Sequence, residues 1–155
     1  MLKSSGLKHP KATAQQTREF LAGMAFNRLL GFELARVHRD GLTLQCRIRK
    51  ELLNSMGVLH GGVAASLADT AVGSALFRHF GGKRPSTTVE FKINYFRPVT
   101  EGRLLARARF LRMGSTLCIS QVDLADDQGR EAGVAIVTYM FLDARLAERS
   151  QVNVV

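Results

Sequence analysis

Residues Asn54 to Gly73 read NSMGVLHGGVAASLADTAVG, and from Gly61 to Phe77 every side chain is apolar, small or hydroxylic except the carboxylate of Asp69. The length, the alanines and the absence of proline predict a helix from Gly61 to about Phe80, ended by Gly81-Gly82. A helix without a polar face is one enclosed by protein, so this segment belongs in the middle of a domain with a sheet around it. Asp69 lies eight residues past Gly61, too far along to cap the helix N-terminus. A buried, unpaired carboxylate is costly, and catalytic sites are where that cost recurs. An arginine or a backbone amide as partner is the structural alternative.

The flanks supply the sheet. Upstream, FELARVHRDGLTLQCRI (Phe32 to Ile48) predicts a β-hairpin joined at the turn pair Asp40-Gly41, with Leu42, Leu44, Cys46 and Ile48 alternating against polar residues. Before it, Phe20, Leu21, Met24, Leu29 and Leu30 recur at helical spacing, with Thr13 or Thr17 as caps and Gly31 as the stop. Downstream, four strands are marked by alternation at Val89, Phe91, Ile93 and Tyr95; at Leu104, Ala106, Ala108 and Phe110; at Cys118, Ser120, Val122 and Leu124; and at Val134, Ile136, Thr138 and Met140. Their connections RPVTEG, RMGS and ADDQGRE are short and turn-rich, which predicts an antiparallel meander. The fold class is therefore α+β, with about six strands, enough to curl round one helix.

At 155 residues and 46% apolar content the chain fits one domain. Residues 1–11 are polar, basic and broken by Gly6 and Pro10, a mobile lead-in; residues 12–145 form the domain and 146–155 a tail. The apolar runs are shorter than a membrane span and the N-terminal stretch lacks a signal-peptide core, so the expectation is a cytoplasmic protein with no membrane partner. Cys46 and Cys118 are expected as buried free thiols, and no Cys/His cluster has metal-ligand spacing. The net charge of +9 favours anionic partners without choosing among cofactor phosphates, nucleic acid and acidic membranes. No helix-turn-helix segment or basic aromatic RNA motif supports nucleic acid.

The joint spacing of Asn54, His60, Gly61, Gly62 and Asp69 on an alanine-rich helix resembles the hotdog-fold acyl-CoA thioesterases, in the PaaI-like group related to the phenylacetate-pathway thioesterase. The likeness runs from about Phe20 to Leu142, and TTVEFKINYFRP (Thr87 to Pro98) is similar to the family's following strand. It implies a hotdog fold, an antiparallel sheet of about six strands wrapped round the long helix. It also implies a homo-oligomer, a dimer or a dimer of dimers (homotetramer), and hydrolysis of an acyl-CoA to free acid and coenzyme A with no metal or redox cofactor.

Gly61 and Gly62 open the helix, where backbone amides lack intrahelical partners and a missing side chain lets a thioester carbonyl approach; a tight turn before a helix looks the same. The family's matching carboxylate, here Asp69, acts as general base or nucleophile from the subunit opposite the one giving the Gly61 amide. By the same resemblance Asn54 holds the thioester carbonyl or the attacking water, although a loop-capping asparagine fits its composition as well. His60 falls near the departing thiol, with a structural histidine as the other reading. Thr88 matches a hydroxyl that orients water, with Thr87 as its alternative. Arg47, Arg49, Arg103, Arg107 and Arg109 read as a solvated outer face. Arg97, Arg112, Lys83 and Arg84 lie in or beside loops where the resemblance puts coenzyme A phosphates. A non-catalytic acyl-CoA-binding or nucleic-acid-binding hotdog module is the rival function. A dehydratase relative would carry a histidine-phenylalanine-proline signature, which this sequence lacks.

Overall fold

A computed structural model describes residues 10–143; most of the expected lead-in and the whole 146–155 tail lie outside the described residues. In chain order the elements are α1 (Ala14–Gly23), α2 (Ala25–Leu30), β1 (Phe32–His38), β2 (Gly41–Arg47), a 3-10 turn (Lys50–Leu52), α3 (Gly61–Phe80), β3 (Ser86–Tyr95), β4 (Arg103–Met113), β5 (Leu117–Asp126) and β6 (Glu131–Phe141). The six strands form one antiparallel sheet in the order β1-β2-β4-β5-β6-β3.

The sheet wraps α3, whose bounds are those the sequence predicts. Leu67, Ala68, Ala71 and Val72 of the helix are fully buried, in one cluster with Leu42 and Leu44 of β2, Ala106 of β4, Val122 of β5 and Val137 of β6. Alanines on the helix let the concave sheet close onto it, since short side chains keep the two backbones near. The helix stops at Gly81, in the left-handed region at φ 58, whose amide bonds the Arg78 and Phe77 carbonyls. A side chain there would also strike the Pro10 carbonyl, so only glycine lets the N-terminal segment cross this corner.

Several sequence expectations are corrected. The first helix is two, because Met24 is extended between α1 and α2; Asn27 and Arg28 donate to the Leu21 and Ala22 carbonyls that the break frees. Thr13 is the cap, in a capping box with Gln16, whereas Thr17 is buried within α1. In the hairpin the turn residues are Arg39-Asp40, and Gly41 already pairs with His38. Glycine is required at 41 because β4 passes so close that a Cβ would lie 2.0 Å from the Ala108 oxygen. The connection RPVTEG does not make a hairpin: β3 runs along the far edge beside β6, and the chain then crosses back to place β4 beside β2. On β6 the buried set is Ala135, Val137, Tyr139 and Phe141, not Val134, Ile136, Thr138 and Met140. Both sets are largely apolar, so alternation alone did not distinguish the faces.

The outer face carries the expected arginines. Arg47 stands opposite Arg103, Arg107 pairs with Asp40, and Arg109 lies 3.1 Å from Asp123. Cys46 and Cys118 are buried and free. Among the described residues no helix is long and apolar enough to cross a membrane.

Candidate active site

Asp69 is half-buried rather than enclosed, on a stripe of α3 that is only partly covered, together with Ser66, Thr70, Gly73 and Phe77. It is also partnered. Thr88 on β3 donates its hydroxyl to Asp69 Oδ1 at 2.8 Å. This contact depends on a β-bulge at Val89: Thr88 pairs with Tyr139 and Glu90 with Thr138, so one residue is extra. Strict alternation would put Thr88 on the face opposite Phe91, and the extra residue turns both toward the helix. Thr87 faces the other way, exposed on the outer side of the sheet, and so does not serve as the alternative hydroxyl.

Tyr139, the residue across from Thr88, donates its hydroxyl to the Asp69 main-chain carbonyl at 3.1 Å. Its phenol is pushed upward in pKa first by burial and then by the charge of Asp69, so it stays protonated. The carboxylate opens on a cavity of about 720 Å³ walled by Phe20, Met24, Phe26 and Phe77. Phe20 and Phe77 stack there with ring centres 3.9 Å apart.

The start of α3 is built differently. His60 is its N-cap, and His60 Nδ1 accepts the Gly62 amide at 2.9 Å. That bond calls for the neutral ring protonated at Nε2. The Gly62 amide, expected in a binding role, is therefore already hydrogen-bonded to the His60 ring. The Gly61 amide makes no hydrogen bond among the described residues, while the Gly61 carbonyl accepts the Tyr95 hydroxyl at 2.6 Å. Asn54 caps its own loop, with Oδ1 accepting the Met56 and Val58 amides, which leaves its Nδ2 without a partner among the described residues. Asn54, Gly61, Tyr95 and Arg97 share a second cavity of about 360 Å³.

The predicted residues thus fall into two groups. Asn54, His60, Gly61 and Arg97 gather at the head of α3, and Asp69 with Thr88 sits eight residues further along, about 12 Å by helical rise. Arg112 joins neither: it pairs with Ile119 on the outer face of the sheet. Arg84 is held structurally, its guanidinium 3.7 Å from the Phe141 ring centre and donating to the Ser115 carbonyl. Sequence reasoning missed Tyr95 and Tyr139 at these positions. Each lies in an alternating strand, where a tyrosine reads as ordinary sheet packing, and the only hint is that the chain has just two tyrosines.

A thioesterase superfamily profile matches residues 56–132. The chain is 30% identical over 136 residues to the medium/long-chain acyl-CoA thioesterase YigI of Escherichia coli (strain K12), the match covering 78% of this chain and 88% of that protein. The thioesterase HI1161 of Haemophilus influenzae has the same fold, with a TM-score of 0.80 at 23% identity over 88% of this chain and 95% of the other. A mutant of the phenylacetic acid degradation protein PaaI from Thermus thermophilus gives a TM-score of 0.69 at 22% identity, over 77% of this chain and all (100%) of that one. With a relative so nearly covered end to end, and with α3 inside the matched segment, the chain belongs to the thioesterase superfamily and is a hotdog-fold hydrolase.

Proposed function

We propose that the protein hydrolyses acyl-CoA thioesters at a site completed by two copies of the chain. The observation that carries this reading is the separation on one helix of an amide at Gly61, unbonded among the described residues, and a supported carboxylate at Asp69. A thioester carbonyl polarised by the first is out of reach of the second within one chain, about 12 Å away, and a second subunit brings the complementary half. The half-exposed stripe of α3 that carries Asp69 is the surface such a subunit would cover.

In this reading the Gly61 amide and Asn54 Nδ2 hold the thioester oxygen and stabilise the negative charge that develops on it. Asp69 of the other subunit either takes a proton from the attacking water or attacks the carbonyl carbon itself; in both cases the tetrahedral intermediate collapses by expelling the coenzyme A thiolate, which then takes up a proton, and on the second route water next cleaves the anhydride left on Asp69 to release the acid. Thr88 fixes the direction of the carboxylate. His60 holds the head of the helix through Gly62 and keeps the Gly61 amide forward. Arg97, on the rim of the smaller cavity, faces the coenzyme A phosphates. The larger, aromatic-walled cavity takes the acyl group, which favours extended apolar chains of the kind named for YigI. Independence of metal and redox cofactors, and a cytoplasmic location, belong to the same proposal.

The test is Asp69→Asn, which keeps the shape of the side chain and removes its charge. Turnover, followed as released thiol over a series of acyl-chain lengths, should fall ~100-fold or more while the thermal melt stays that of the parent. Parental turnover in this variant would overturn the assignment.

A further inference from the structure

We propose that Tyr139 is a positioning residue: its hydroxyl, admitted by the missing side chain of Gly73, holds the Asp69 turn of α3 against β6 and so keeps the carboxylate aimed beside Thr88. The inference rests on the reading of Asp69 as the reacting carboxylate.

Two neighbours across the β3–β6 ladder grip one helical residue at two places. Thr88 takes the Asp69 side chain, and Tyr139, directly opposite Thr88, takes the Asp69 main chain. Asp69 is the only acidic residue on the helix. Its carbonyl already has the helical amide four residues on as a donor, so the phenol is a second donor to a satisfied oxygen. Tyr139 is 7% exposed, a position where phenylalanine would fill the same volume without burying a hydroxyl. Gly73 completes the device. A Cβ built there lies 2.9 Å from the Tyr139 oxygen, closer than any real side-chain carbon sits, so a methyl at 73 displaces the hydroxyl. Glycine inside a helix is disfavoured relative to alanine, and here it leaves room for the phenol. Because Tyr139 remains protonated, it is a standing donor across the working pH range.

The experiment compares Tyr139→Phe, Gly73→Ala and the double variant with Asp69→Asn, in the full chain, by steady-state hydrolysis of one acyl-CoA and by thermal melts. Tyr139→Phe should lower kcat about tenfold with KM within about twofold of the parent, the pattern of a misaimed reacting group with binding intact. Gly73→Ala should lower kcat to a similar level. The double variant should be no slower than either single one, because both act on one hydrogen bond, and it should melt above Tyr139→Phe, because alanine then replaces glycine without obstruction. Parental kcat in Tyr139→Phe, with Asp69→Asn inactive, would overturn the inference while leaving the Asp69 assignment standing; so would losses that multiply in the double variant. Parental turnover in Asp69→Asn would overturn both.

Discussion

The group at Gly61 that matters for the proposed chemistry is a backbone amide, and an amide can be deleted where proline is welcome. Gly61 is the first residue of α3, it is not among the glycines with positive φ, and its N–H is unbonded among the described residues. Proline is favoured at this helical position, and His60 before it is already extended at ψ 131, as the residue preceding proline must be. Gly61→Pro should therefore melt close to the parent yet lose ~100-fold in turnover, because the donor to the thioester oxygen is gone. Gly61→Ala keeps the amide and adds a methyl 3.2 Å from the Tyr95 ring, a contact the half-exposed ring can yield to, so its loss should be much smaller. Equal losses in the two variants, measured as thiol release beside circular-dichroism melts, would show that crowding rather than the amide is what counts.

For the elements, the question is what His60 contributes to α3. Its exposed ring accepts the Gly62 amide, one of the orphan donors that every helix N-terminus leaves. His60→Ala should cost about 1 kcal/mol of stability. His60→Asn, whose side-chain oxygen caps equally well, should restore the melt and turnover together, since the proposed role is to hold the Gly61 amide forward. Stability restored without turnover would mean that the imidazole itself takes part. At this scale much was legible in advance: α3 was bounded correctly by composition and its flanking glycines, and the hairpin by its alternation. The break at Met24 was not, because Asn27 and Arg28 satisfy the freed carbonyls from six residues away. The bulge at Val89 was hidden too, since an extra residue in an alternating run shows only once the partner strand is in place.

On the scale of the whole molecule, part of the exposed apolar surface lies on β3 and α2, which the proposed second chain would cover, while Met56, Leu111 and Leu117 are exposed elsewhere. Val89, Tyr95 and Phe96 are about half exposed along or just after the edge strand β3, and Phe26 and Leu29 are exposed on α2. A shared site makes a prediction that a site within one chain does not. When chains carrying Asp69→Asn are mixed with chains carrying Gly61→Pro and reassembled, each mixed pair regains one intact site and loses the other. Random pairing should then return about a quarter of parental activity from two inactive proteins, with sedimentation showing an even-numbered assembly. No recovery, with mixed pairs demonstrated, would place both groups in one subunit's site.

What the sequence alone determined is what neighbouring residues decide: the central helix and its ends, the number of strands, the α+β class, and Asp69 as an isolated charge in an apolar run. These follow from local rules, helical and alternating periodicity, glycine stops and capping side chains, which act within a few residues. What only the tertiary structure decided depends on partners far apart in the chain. The edge position of β3 and the inward face of β6 are set by pairing across the sheet, because β6 is apolar on both faces and either would have satisfied its own pattern. The contact of Thr88 with Asp69 spans 19 residues and needs both the bulge and the β3–β6 register, and that of Tyr139 spans 70. Such contacts exist only once the sheet has closed round the helix, since no local propensity of either residue brings it to the other.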